Sequence, residues 1–221
     1  MAEALGKFLL EVFGNKIVAT LFVSMFPLIE LKGAIPIGTG LFKMNLFATA
    51  GIAYLGSTII SVAEFFLLIP IFNLLKKIKF IKRLIEKIEG IFQRKAEEIA
   101  KKTDGSPEKK ARKIKMISLL VFVAVPFPVT GVWTGTAIAV FLGLKFRESV
   151  LPIAVGNLIA GAIITLLTFL FKDYVDIIIY ALFAIAIVML IVFIVKIVCS
   201  KPVESVKPVG QSPKAEQLEE E

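Results

Sequence analysis

Residues 45–72, 150–171 and 177–198 are three stretches each apolar over about 20 residues or more, the length of helix that crosses a hydrocarbon core of roughly 30 Å. Backbone amides and carbonyls inside a bilayer must be bonded within the spanning structure, so such runs fold as helices. The fold class predicted is therefore all-α, a polytopic integral membrane protein. Composition agrees: 57% of the 221 residues are hydrophobic and the mean hydropathy is +0.85, far above a soluble globular domain. Residues 1–200 read as one membrane domain. Residues 201–221, polar, with three prolines and a terminal Glu triplet, read as a disordered cytoplasmic tail. Cys199 is the single cysteine and histidine is absent, which removes internal disulfides and the commonest metal ligand and acid–base group. With no nucleophile–base pair or metal cluster visible, the expectation is no enzyme, no metal and no cofactor. The apolar run 17–26 reads as mature sequence and not as a signal peptide, because Glu30 and Lys32 follow it and no small-x-small cleavage pattern does.

Two further apolar regions are broken in the middle. The first runs over 17–29, is interrupted by Glu30, Lys32 and Gly33, and resumes over 34–42; the second runs over 117–125, is interrupted by PFPVTG (126–131), and resumes over 132–144. Arms of about 9 to 13 residues reach roughly 14 to 20 Å at 1.5 Å per residue, too short to cross. Pro27, Pro36, Pro126 and Pro128 remove amide donors, while Gly33, Gly38, Gly40, Gly131 and Gly135 permit tight or left-handed backbone. Both regions therefore read as re-entrant helix–break–helix hairpins, the competing reading being a single kinked spanning helix at each place.

The broken regions resemble copies. Pro27 and Pro126 stand 99 residues apart, Gly33 and Gly131 98 apart, and Lys43 and Lys145, which close the hairpins, 102 apart. A spanning segment with two glycines follows each, Gly51 and Gly56 in one and Gly156 and Gly161 in the other. Residues 15–75 and 116–172 are thus two repeats, and interrupted helices at matching positions of two halves point to a transporter-type binding site. Residues 177–199 add a C-terminal spanning helix.

Charge orients the halves. Residues 76–115 carry 15 Lys and Arg against 6 Asp and Glu, which makes this loop cytoplasmic by the positive-inside rule. The first hairpin then opens outside and the second inside, giving inverted repeats whose breaks meet near the midplane, with a cytoplasmic C-terminus in the cell membrane. Within the loop, Ile78, Ile81, Leu84, Ile85, Ile88, Ile91 and Phe92 recur at helical spacing, an amphipathic helix suited to an anionic leaflet. Thr103 to Pro107 stop it, with Ser106 as N-cap and Pro107 as first residue of the next helix. Topology accounts for the basic charge, so nucleic acid is not an expected partner; membrane lipids, a small-molecule or lipid substrate, protons and a second copy of the chain are compatible ones.

A charge within a bilayer costs several kcal/mol, so Glu30, Lys32 and Glu64 face protein or water. Glu64 is either a functional acid or a carboxyl bonded to a neighbouring helix, for instance through Asn157. The Glu30–Lys32 pair is either a site or a local pin. The second break has no charge between residues 117 and 144 and offers backbone amides near Gly131, the hydroxyls of Thr130 and Thr134, and the Trp133 indole. Amides opening a half-helix suit an anion. The substrate- and proton-binding candidates are Glu30, Lys32, Gly33, Pro36, Glu64, Pro126, Pro128, Thr130, Gly131, Trp133, Thr134 and Asn157.

ELKGAIPIG (30–38) and PFPVTGVWTG (126–135) resemble the two signature stretches of the small multidrug export protein family, related to the DedA/VTT superfamily of membrane proteins with paired re-entrant hairpins. The resemblance implies transport, with Glu30 in the acidic role and Lys32 where the family often has arginine; the second-hairpin arginine of DedA proteins has no counterpart here. Three functions follow. The first is a proton-coupled transporter or flippase of an anionic or amphipathic substrate such as a lipid phosphate, the anion held by Lys32 and the amides near Gly131 while Glu30 exchanges a proton. The second is proton-coupled efflux of small cationic or hydrophobic drugs. The third is a non-transporting membrane-shaping or scaffold protein.

Overall fold

The computed structural model describes residues 2–27, 29–102, 105, 107–127 and 130–199, and these are helical without a strand. In chain order they form α1 (Ala2–Phe13), α2 (Lys16–Met25), α3 (Glu30–Gly40), α4 (Leu46–Leu75), α5 (Lys79–Lys101), α6 (Glu108–Ala124), α7 (Val132–Phe141), α8 (Phe146–Leu170), a 3-10 turn (Lys172–Tyr174) and α9 (Val175–Cys199). Among the described residues, α4 and α8 are long and apolar enough to cross a membrane, as expected of 45–72 and 150–171. α9 covers the third expected span and has 25 residues, several of whose side chains are outside the described set. The tail 201–221, Pro128 and Ser106 also lie outside it.

The two breaks have one cause. The residue before a proline is pushed into extended backbone, and Phe26 before Pro27 (ψ 134°) and Val125 before Pro126 (ψ 118°) are both extended, which ends α2 and α6. The first gap falls one turn earlier than the sequence suggests: Glu30, Lys32 and Gly33 lie in the first turn of α3, and Pro36 sits inside that helix. Left-handed backbone at this break falls on Glu30 itself (φ 48°) and not on a glycine. α2, α3 and α7 have 10, 11 and 10 residues, about 15 to 17 Å of helix.

α4 packs against α2, α3, α7 and α8, and α8 against α6. One apolar cluster gathers around α3 (Leu31, Ala34, Ile35 with Ala19 and Val23 of α2), another around α7 (Val132, Ala137, Ile138 with Leu119 and Val123 of α6). The long helices approach their partners at glycines 100 residues apart. A Cβ on Gly56 would lie 2.6 Å from the Leu21 carbonyl of α2, and one on Gly156 2.6 Å from the Leu120 carbonyl of α6. Gly51, the other glycine singled out in that helix, has nothing within 4 Å of an added Cβ. Left-handed backbone likewise occurs 100 residues apart, at Lys43 (φ 52°) and Gly143 (φ 68°).

α5 is amphipathic as its spacing predicts, but its apolar face is covered by protein. Ile85, Ala96 and Ile99 are buried, Ile88 and Phe92 pack beside them, and Phe92 stacks on Phe141 of α7 with ring centroids 6.3 Å apart. Ile78 and Leu84 remain exposed. α6 begins at Glu108 with Pro107 as its N-cap, one position later than Ser106 would place it.

Candidate functional site

The first turn of α3 meets the start of α7, and two buried charges lie at the junction. Glu30 and Lys32 are 4% and 5% exposed, and the Lys32 Nζ stands 3.4 Å from the Glu30 Oε2. The same ammonium donates a hydrogen bond to the Phe127 carbonyl (2.8 Å), in the second break. The Glu30 carboxylate in turn accepts from the Trp133 backbone N–H (3.3 Å), one of the unpaired amides that open α7. Trp133 closes the junction from the other side, its indole N–H donating to the Met25 carbonyl (2.9 Å) at the end of α2. The two breaks are thus stitched together by three cross-links, all involving a charged or aromatic side chain at one break and backbone at the other.

Gly131 is the N-cap of α7, in extended backbone, and its Cα rests on the Glu30 carboxylate; any Cβ there would overlap it. The absence of a side chain at 131 is what lets a carboxylate from α3 reach the α7 amides. An anion at this helix start is what dipole and free N–H groups favour, and here the anion comes from the chain itself. The anion site expected from the amides near Gly131 is therefore already filled by Glu30.

Glu64, on α4, is 6% exposed, and its Oε2 has no hydrogen-bond partner among the described residues. It lies within electrostatic reach of Glu30. Asn157 does not bond it: the Asn157 amide donates to Ser57 Oγ (2.8 Å) and Thr58 Oγ1 (3.3 Å), tying α8 to α4. Thr130 donates to the Val125 and Phe127 carbonyls (2.8 and 2.9 Å) and shapes the second break. Thr134 is half-buried in the first turn of α7, and Gly33 and Pro36 are buried within α3. Pro126 acts by ending α6; Pro128 lies outside the described residues.

The sequence reading passed over Phe127 and Met25, whose carbonyls accept the Lys32 and Trp133 donors, since a backbone acceptor leaves no mark in the residue type. Ser57 and Thr58 carried a signal: Gly56–Ser57 and Gly156–Asn157 align at the 100-residue offset.

Neither a curated protein nor a solved structure matches the chain significantly. Residues 30–163, which run from Glu30 through the second break into α8, match the family described as "Putative small multi-drug export protein", and the chain belongs to that family.

Proposed function

We propose that this chain is a multi-pass transporter of the cell membrane that exchanges protons for small cationic or amphipathic molecules at the α3–α7 junction. The observation that carries the reading is the charge balance of the buried cluster, two carboxylates (Glu30 and Glu64) to one ammonium (Lys32). With all three ionised, the cluster holds one uncompensated negative charge in a setting where such a charge is costly. One proton or one monovalent cation neutralises it, and because they satisfy the same deficit they compete. Competition between a proton and a cation is the thermodynamic basis of exchange. A lipid phosphate would have to displace Glu30 from the α7 amides and add negative charge to a negative cluster, so the geometry favours the cation over the anion.

Alternating access is supplied in this reading by inverted repeats, α2–α4 and α6–α8, with α2–α3 and α6–α7 as re-entrant hairpins in the manner of DedA-like proteins. The proline-ended first arms, the left-handed turns at 43 and 143 and the packing glycines at 56 and 156 support it. Arms of about 15 to 17 Å cover only about half of a hydrocarbon core. The basic segment 76–115 and the C-terminus face the cytoplasm.

The test is flux in vesicles reconstituted with the full chain under an imposed pH gradient, using a radiolabelled quaternary ammonium cation. Protein-dependent accumulation that a protonophore abolishes is expected. Absence of gradient-driven cation uptake, or translocation of a short-chain lipid phosphate in its place, would overturn it.

A further inference from the structure

The two buried carboxylates differ in their surroundings. Glu30 is held at its carboxylate by the Trp133 amide and the Lys32 ammonium, is wedged against Gly131, and stands on a left-handed residue at the edge of a break. Such a group is stabilised as an anion by donors that the fold fixes in place. Glu64 has a buried oxygen with no donor among the described residues. An ionised carboxylate there would have lone pairs facing no hydrogen, whereas a carboxyl or a carboxylate with a bound cation would not.

Glu64 also ends a polar line along one face of an otherwise apolar helix. Ser57 and Ser61, both buried, precede it at spacings of seven and three residues, and Ser57 is bonded by Asn157 of α8. Both serine protons stay within α4, Ser57 donating to the Ala53 and Tyr54 carbonyls (2.9 and 3.2 Å) and Ser61 to that of Thr58 (2.8 Å), while the Ser57 oxygen accepts from Asn157 of α8. Among the described residues no donor bonds the Ser61 oxygen, which stays open to a migrating donor.

We propose that Glu64, with Ser61 beside it, is the exchangeable site of the cluster, the carboxyl that binds a proton or an organic cation in turn, and that Glu30 is a fixed anion bracing α7. Substrate chemistry rests on the exchange reading above; the division of labour between the two acids does not. The charged groups on the elements packed against α4 are Glu30 and Lys32 on α3, Lys16 at the start of α2, Arg147 and Glu148 at the start of α8, Glu148 being paired with Arg112 of α6, and those of α5, where Glu89 pairs with Lys76 at the α4–α5 end and the other ten charges run from Lys79 to Lys101. α7 carries none.

Infrared difference spectroscopy on the full chain in vesicles tests the assignment, following the carbonyl stretch of a protonated carboxyl while pH is stepped or the quaternary ammonium cation is added. The band is expected to bleach on either change, to vanish in Glu64→Gln and to persist in Glu30→Gln. Because Glu30→Gln strips Lys32 of its partner and can unfold the protein, Glu64→Asp serves as the second variant, and there the band should shift in frequency. A band lost in folded Glu30→Gln, or unmoved in folded Glu64→Asp, overturns the assignment. A band owned by Glu64 in a protein that moves no cation would leave the assignment standing and end the exchange reading.

Discussion

Gly131→Ala is the most searching perturbation of the α3–α7 junction, because it adds one methyl group at the point where Glu30 crosses between the halves. That methyl would occupy the volume of the Glu30 carboxylate. If the carboxylate yields, it leaves the Trp133 amide and the Lys32 ammonium, and breaking a buried ion pair costs about 3–5 kcal/mol. Yielding by the α7 backbone instead incurs an overpacking cost of about 1–3 kcal/mol and stretches the Trp133 indole bond to Met25. By either route the variant should lose about 1 kcal/mol or more. Trp133 is the sole tryptophan of the chain, so its fluorescence during thermal or denaturant unfolding in detergent reads this junction directly. The cause is isolated by a double-mutant cycle. Glu30→Gln keeps the bulk, so Gly131→Ala should remain damaging in that background. Glu30→Gly removes the side chain and suits the left-handed backbone at 30, so Gly131→Ala on top of it should cost under about 0.5 kcal/mol, the usual size of a substitution that disturbs nothing. A Gly131→Ala protein as stable as wild type, or a penalty that persists without the Glu30 side chain, would refute the close approach.

Three further outcomes follow from the packing. Gly51→Ala should be neutral, because open space receives the methyl, while Gly56→Ala and Gly156→Ala should each lose about 1–3 kcal/mol by driving α4 off α2 and α8 off α6; melting temperatures of the three variants side by side decide this. Asn157→Leu, similar in size, removes the donors to Ser57 and Thr58 and should lower stability by about 1 kcal/mol, since Ser57 retains its bond to the Ala53 carbonyl. In a Cys199→Ser background, single cysteines at the exposed positions Asn15 and Lys43 should both react with an impermeant external maleimide and one at Lys102 should not; labelling of the first two from opposite sides would mean that α2–α3 spans the membrane.

Much of this arrangement was legible in the sequence, for identifiable reasons. Proline acts on its preceding neighbour through local sterics alone, so Pro27 and Pro126 marked both helix ends without knowledge of the fold. Charge in an apolar chain is rare enough that Glu30, Lys32 and Glu64 stood out, and the meeting of two breaks brought Trp133 and Gly131 to the first two. What stayed hidden depends on who covers whom. The apolar face of α5 is the same pattern whether lipid or α7 lies against it. Gly51 and Gly56 are the same residue type, yet an added Cβ meets another helix only at Gly56. An amide-rich helix start announces an anion but not whether it is a ligand or the protein's own Glu30. The same limit governs the two acids. Glu30 and Glu64 are chemically identical and similarly buried, and what separates a fixed brace from an exchangeable site is the number of donors within reach: an ammonium and an α7 amide for one, none among the described residues at the Oε2 of the other. Donor count is set by which backbone segments the fold leaves unpaired, so the distinction between the carboxylates is a property of the breaks and not of the residues.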